Sequence, residues 1–338
     1  MVKTTMADVA KKAEVSKSTV SQYLNKRYEY MSPETKKRIE DAIRELGYKP
    51  NYVARSLKQK RTSTIGVIVA NIMHRVSTEV SRSIEDYFHE RDIHVILCNA
   101  DDDPQKERKY IEVLRAKQVD GLIIFPTGGN IDLYQQMEQE KYPVVFMDRK
   151  IPGVNIDTVV PNNQKASYEA VKHLIELGHE RIAVVTPPLT ISPRVERLEG
   201  YKDALREHNL PICENYVKSI EIHHIKEELE KMFSLKERPT AIFAANDLVS
   251  MEVLEFLKEK DISLSTELAL VVFDNLSFAS IFKPSITTIS QPAFQMGEKA
   301  AEWLFAKVEQ DGAGTVPSEH VFSCELMIRE SSGSYLKR

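Results

Sequence analysis

Three polar pairs in this 338-residue chain stand where side chains can hold a ligand. Asp148-Arg149 follows the apolar run PVVFM, Asn246-Asp247 follows TAIFAA, and Asp274-Asn275 follows ALVVF. Ligands of open α/β sheets bind outside the carboxyl ends of the strands, so each pair is placed for recognition. Asp and Asn suit hydroxyl groups, and an arginine fork suits a carboxylate or phosphate. Asp247 equally suits the cap of a helix starting at Leu248, and Asn275 the plain end of a strand; residue type leaves both open. Catalysis has no comparable signature. No nucleophile and base share a local motif, and Gly128-Gly129 lacks a phosphate-loop pattern. His223-His224 has no further ligands at metal spacing, and His179 in LGHERI suits a structural contact. Asp101-Asp102-Asp103, before Pro104, reads as a helix start favoured by the N-terminal dipole. No metal site and no cofactor are expected.

The surrounding pattern supplies the scaffold. IGVIVA (65–70), HVILCN (94–99), GLIIF (121–125) and PVVFM (143–147) alternate with helical periodicities near 78–91, 105–117 and 132–140. Continuous apolar strands between helices imply a parallel sheet covered on both faces. The pattern repeats with a helix from 163 to 177, RIAVVT (181–186), a helix from about 195 to 208, TAIFAA (240–245), a helix over 248–259 and ALVVF (269–273). This predicts two Rossmann-like lobes. The chain returns near Thr287–Pro292, adds a helix over Ala293–Leu304, and ends in one strand around Val321–Ile328. Strands crossing between lobes make a hinge, and the cleft between lobes is the expected small-molecule site.

The first sixty residues differ in kind. Thr5 and Asp8 resemble a capping box, and Met6, Val9, Ala10 and Ala13 share one helical face. Glu14-Val15 makes a turn, and Ser16 caps a second helix whose polar side carries Lys17, Ser18, Thr19, Ser21, Gln22 and Asn25. A third helix starts at Ser32-Pro33 and ends at Gly47. Residues 1–61 hold 15 Lys and Arg against 7 Asp and Glu, a net of +8; the chain totals −4, so the remainder carries −12. A basic head on an acidic body is the footprint of a nucleic-acid module joined to another domain. A helix-turn-helix places its second helix in the major groove.

The run from Asp8 through Asn25, with SPETKKRIEDAIRELGYKPNYVARSLK from Ser32 to Lys58, resembles the lactose-repressor/galactose-repressor (LacI/GalR) family of bacterial transcription factors. The resemblance implies an all-α helix-turn-helix headpiece (1–50), a hinge helix or linker (51–61) and an α/β periplasmic-binding-protein-like core. The lobes of that core are expected to be 62–162 with 289–325, and 163–288 with 326–338. It also implies DNA contacts from Thr5, Ser16, Lys17, Ser18, Thr19, Ser21, Gln22 and Asn25. Asn51, Ala54, Leu57 and Lys58 join them in the hinge, with Leu57 wedged into the minor groove. Glu14 stands where the family usually has Gly. Gln22 stands where it usually has an Arg that reaches guanine; Gln pairs best with adenine, so a shifted operator is expected. Some relatives form tetramers through a C-terminal leucine heptad. After Glu330 only SSGSYLKR follows here, so a homodimer on pseudo-palindromic operator DNA is expected.

In that family the positions matching Asp148 or Arg149, Arg197, Asn246, Asp274 and Gln291 contact a small-molecule effector. Arg75, Arg149, Arg194 and Arg197, with His74 beside the first, are all expected to approach the cleft, more guanidinium than a neutral hexose needs. An anionic sugar explains them: a sugar acid such as 2-keto-3-deoxygluconate, or a sugar phosphate. The stretch KSTVSQYLNKRYEYMS also resembles repressors of ketodeoxygluconate and uronate catabolism. The alternative is that some arginines pair with Glu196, Glu199 or other acids. The expected function is a repressor of carbohydrate catabolism. The alternatives are a regulator answering to a phosphorylated protein, a neutral sugar or a purine, a solute-binding carrier, and an enzyme acting on sugar phosphates. No apolar run approaches the roughly 18 residues of a bilayer span, and the N-terminus lacks a secretory core. Cys98, Cys213 and Cys324 lack metal spacing. A bacterial cytoplasmic location is expected.

Overall fold

The hydroxyl of Ser16 accepts from the Thr19 N–H at 3.1 Å, and that of Ser32 from the Thr35 N–H at 3.2 Å. These caps start α2 (Lys17–Leu24) and α3 (Pro33–Leu46), which follow α1 (Met6–Lys12). The computed structural model describes residues 4–29, 31–49, 61–310 and 317–333. Residues 1–62 and 63–338 form separate compact units. In the first, Val9, Val20 and Ile39 are fully buried between the three helices. Gly47 closes α3 at φ +56°, and Glu14 takes φ +53° in the turn after α1 despite its side chain. Asn51, Ala54, Leu57 and Lys58 lie outside the described residues.

The second unit holds two six-stranded sheets. The first contains β1 (Thr64–Val69), β2 (His94–Asn99), β3 (Gly121–Ile124), β4 (Val144–Met147), β5 (Thr158–Pro161) and β11 (Glu319–Phe322), all parallel. Its order is β11-β5-β4-β3-β1-β2. One face packs on α4 (Arg75–His89) and α11 (Ala293–Glu309), the other on α5 (Pro104–Ala116) and α6 (Ile131–Gln139). As the outermost strand, β2 leaves Ile96 and Leu97 exposed, unlike the doubly covered strands beside it.

The second sheet comprises β6 (Ile182–Thr186), β7 (Val217–Ser219), β8 (Ala241–Ala244), β9 (Ala269–Phe273), β10 (Thr287–Ser290) and β12 (Glu325–Met327), in the order β12-β10-β9-β8-β6-β7. Only β12 runs antiparallel to its neighbour. α7 (Asn163–Glu176) and α8 (Ser192–Glu207) cover one face, and α9 (Ile225–Phe233) and α10 (Asp247–Glu259) the other. Gly200 lets α8 close on α7, because a Cβ there would lie 2.1 Å from the Gln164 carbonyl oxygen.

The chain crosses between lobes three times, which corrects two expected boundaries. β10 pairs wholly within the second sheet, so that crossing falls at Gln291-Pro292 and not at 289. The single strand expected over 321–328 is two: β11 completes the first sheet and β12 joins the second, with the crossing at Ser323-Cys324. Register decides both, since a strand's partners fix its lobe.

Candidate functional site

On the first unit, Lys17, Ser18 and Gln22 are exposed along α2, with Thr19, Ser21 and Asn25 half-buried. Side chains at 17, 18, 21, 22 and 25 fall on one side of a helix with 3.6 residues per turn. Ser16 is committed to its cap, and Asn25 Nδ2 donates to the Ser21 carbonyl at 2.7 Å. Thr5, exposed before α1, donates its N–H and hydroxyl to Asp8.

In the second unit, the strand ends of both lobes face one cleft. Eight of the nine expected ligand residues line it: His74, Asp148, Arg149, Arg194, Arg197, Asn246, Asp274 and Gln291. Ala70, Val76, Ser77, Phe125, Ile191 and Pro193 complete the wall. The free space is about 50 Å³, room for a few waters. A more open hollow of about 590 Å³ lies beside the crossings, against Thr78, Arg82 and Phe294. It shares only Gln291 with the cleft and gathers no converging set of arginines.

Two aspartates hold equivalent places in the two lobes. Asp148 ends β4 at φ +69° and donates its N–H to the Val159 carbonyl at 2.7 Å; Asp274 ends β9 at φ +88° and donates to Ile289 at 3.1 Å. Left-handed geometry at a residue with a side chain is unfavourable and clusters at functional positions. Burial pushes the Asp274 carboxyl above its ordinary pKa, against the lowering effect of Arg197. Gln291 Nε2 donates to Asp274 at 2.5 Å, while its buried Oε1 has no hydrogen-bond partner among the described residues. Asn246 accepts from the Val249 N–H at 2.8 Å, so Asn246 is the cap of α10.

The arginines are held firmly. Arg197 donates from Nε to Asn163 at 2.9 Å and from Nη1 to the Ala245 carbonyl at 2.8 Å, and stacks 3.6 Å from the Phe273 ring centre. Its Nη1 lies 3.9 Å from Asp274. Arg149 donates from Nη1 to Pro126 at 3.2 Å and from Nη2 to Asp102 at 2.7 Å. Its buried Nε has no hydrogen-bond partner among the described residues and lies 3.7 Å from Asp148 Oδ2. Arg194 donates to the Pro188 carbonyl at 3.0 Å and brings Nη2 within 3.8 Å of the other Asp102 oxygen. The counter-ions are therefore Asp102, Asp148 and Asp274. Glu196 meets Asn163 and Lys150, and Glu199 meets Lys202 and Arg206.

Arg75 is the exception. It does not line the cleft; its Nη1 donates to the Asn275 carbonyl at 2.7 Å and its backbone N–H to Asp247 at 3.0 Å. His74 Nδ1 sits 2.5 Å from the other Asp247 oxygen. Asn246 is thus the N-cap, while Asp247, whose Oδ1 also accepts the Leu248 N–H at 2.8 Å, is the second-lobe end of a clasp between lobes. Sequence reasoning also passed over Asp102, read only as part of a helix start; Asp103 is the cap, accepting from the Gln105 N–H at 2.8 Å. Asp102 and Phe125 both lie just past strand carboxyl ends, the signal that located the other residues. Among the described residues no group of three His, Cys, Asp or Glu is placed to hold a metal, and no helix is long and apolar enough to cross a membrane.

A family model for bacterial regulatory proteins of the lacI family matches residues 5–51. A second, for periplasmic binding proteins and the sugar binding domain of the LacI family, matches 62–328. The chain is 48% identical over 310 residues to the protein named Probable HTH-type transcriptional regulator EndR of Paenibacillus polymyxa, covering 91% of each. It is 34% identical over 334 residues to the HTH-type transcriptional regulator KdgR of Bacillus subtilis (strain 168), covering 97% of each. Its fold resembles the lac repressor dimer bound to operator and the anti-inducer ONPF, with TM-score 0.84 at 23% identity over 98% of this chain and 99% of that one. These relatives are transcriptional regulators, not enzymes. With a helix-turn-helix unit followed by two α/β lobes around a cleft, the chain belongs to the LacI family of bacterial transcriptional regulators.

Proposed function

We propose that this regulator is a cytoplasmic homodimer that represses carbohydrate catabolism and is controlled by a sugar acid, such as 2-keto-3-deoxygluconate, in the cleft. The observation that carries the effector class is the corner where Arg149 and Arg194 share the single carboxylate of Asp102. Two guanidiniums with spare N–H groups suit a ligand carboxylate. Asp148, Asn246, Asp274 and Gln291 suit its hydroxyls, and Phe125 its apolar face. The 34% identity to KdgR supports the same class. Lys17, Ser18, Ser21 and Gln22 read a pseudo-palindromic operator, with Thr5, Ser16, Thr19 and Asn25 at the backbone. Effector and operator affinities are coupled reciprocally: an effector that weakens DNA binding is itself bound less tightly by the DNA complex.

Thermal shift of the purified protein tests this, using 2-keto-3-deoxygluconate, D-galacturonate, D-glucose and guanine. A ligand at 100 times its Kd adds about 2.7 kcal/mol, several degrees for a core of this size at about 2–4 °C per kcal/mol. The expected result is a shift with the acids alone. A shift with glucose or guanine alone overturns the effector class. No shift with any of them turns the test to a phosphorylated protein partner.

A further inference from the structure

The carboxylate of Asp102 sits between the guanidinium groups of Arg149 and Arg194. It bonds Arg149 Nη2 at 2.7 Å, and its second oxygen faces Arg194 Nη2 at 3.8 Å. Burial raises its pKa, but Arg149 and then Arg194 outweigh that and hold it below the ordinary value, so it is charged at neutral pH. Its backbone is unusual. Asp101 and Asp102 are consecutive non-glycine residues in the left-handed region, at φ +54° and +55°, a conformation normally visited singly and at a cost. The loop is held there by Asn99, which donates to Asp101 at 2.6 Å, and by the Asp102 N–H, which donates to Ala70 at 2.7 Å.

We propose that Asp102 is an internal stand-in for the effector carboxylate, holding the two arginines until an acid displaces it. This rests on the sugar-acid reading. Two carboxylates on one guanidinium pair repel each other, so the ligand's gain is set against that of Asp102. A neutral sugar makes no such exchange and leaves the loop in place. Asp102 therefore determines specificity by selecting ligands whose charge can replace its own. The exchange also has a route outward. Asn99 Oδ1 accepts the Ile72 N–H at 3.1 Å, and two residues on stand His74 and Arg75, which bond Asp247 in the other lobe. Releasing Asp102 loosens the loop that holds this segment.

The test is calorimetric titration of full-length wild type, D102N and D102S with 2-keto-3-deoxygluconate, D-galacturonate and D-galactose. Both variants should bind the acids about tenfold more tightly or better, a change of about 1.4 kcal/mol, with galactose affinity unchanged. Agreement between Asn and Ser assigns the gain to lost charge and not to a new amide contact. Acid affinity that is unchanged or weaker in both variants, with wild type still binding acids, overturns the inference and makes Asp102 a support for the arginines. Galactose binding without acid binding in any of the three proteins overturns the sugar-acid reading, and the stand-in falls with it.

Discussion

Nδ1 of His74 lies 2.5 Å from Oδ1 of Asp247, tying together two lobes through residues 173 positions apart. Burial lowers the His74 pKa, but the Asp247 hydrogen bond and charge outweigh it and the net direction is upward. Asp247 is opposed by burial but held below its ordinary value, first by His74. A raised histidine stabilises fully below its unfolded pKa of about 6.5 and loses that contribution as pH rises through the folded value. A depressed aspartate stabilises above its unfolded value of about 3.9 and loses it as pH falls through the folded one. Asp247→Asn should therefore cost most at pH 4–6.5, about 1.5–3 kcal/mol for a charged hydrogen bond. Melting temperatures across pH check this: the gap to wild type should narrow on the alkaline side.

Asp274 has the opposite sign. Its raised pKa, from burial first, means that ionising it works against folding, so stability present at low pH is lost as pH rises. Asp274→Asn keeps an acceptor for Gln291. Its melting temperature relative to wild type should rise as pH climbs above about 3.9 and level off once pH passes the raised folded value. A flat difference would show that Arg197, at 3.9 Å, fully compensates the charge.

Glu14 carries a side chain in the left-handed region, where glycine is at ease. Glu14→Gly should stabilise residues 1–62 by about 1 kcal/mol, partly offset by lost contact with Arg38 at 3.8 Å. Hydrogen exchange of the Val9 and Val20 amides reads this directly. Slower exchange is expected, and faster exchange would mean that the ion pair outweighs the strain.

Gln22 is exposed on α2. With an amide there the preferred half-site should carry adenine at the contacted position, and Gln22→Arg should move the preference to guanine by about 1–3 kcal/mol. Selection from randomised half-sites measures it. An unchanged preference would show that Gln22 does not read a base.

The lobes were legible because strands covered on both faces read as unbroken apolar runs. β5 (TVVP) and β7 (VKS) were not, being short and ending in Pro161 or running half-polar at a sheet edge. The helix Ile225–Phe233 follows a polar His223-His224 turn that hides its start. Strand ends located the cleft aspartates and Arg149. They could not separate Arg75 from its neighbours, because the choice between cleft and clasp depends on Asn275 and Asp247, two hundred and 172 residues away.

The three crossings also set an order of events during synthesis. The first lobe's core needs Met296, Ala300 and Leu304 of α11 beside Val67, Ile84 and Phe88, and its sheet needs β11. The second sheet needs β12. Neither lobe is complete until nearly the whole chain has left the ribosome, so no nascent fragment carries a finished lobe. A chain terminated at Pro292 would leave the first lobe without its covering helix and both sheets without an edge. Such products would expose apolar core surface and unpaired strand edges, the features that make incomplete folds prone to aggregate.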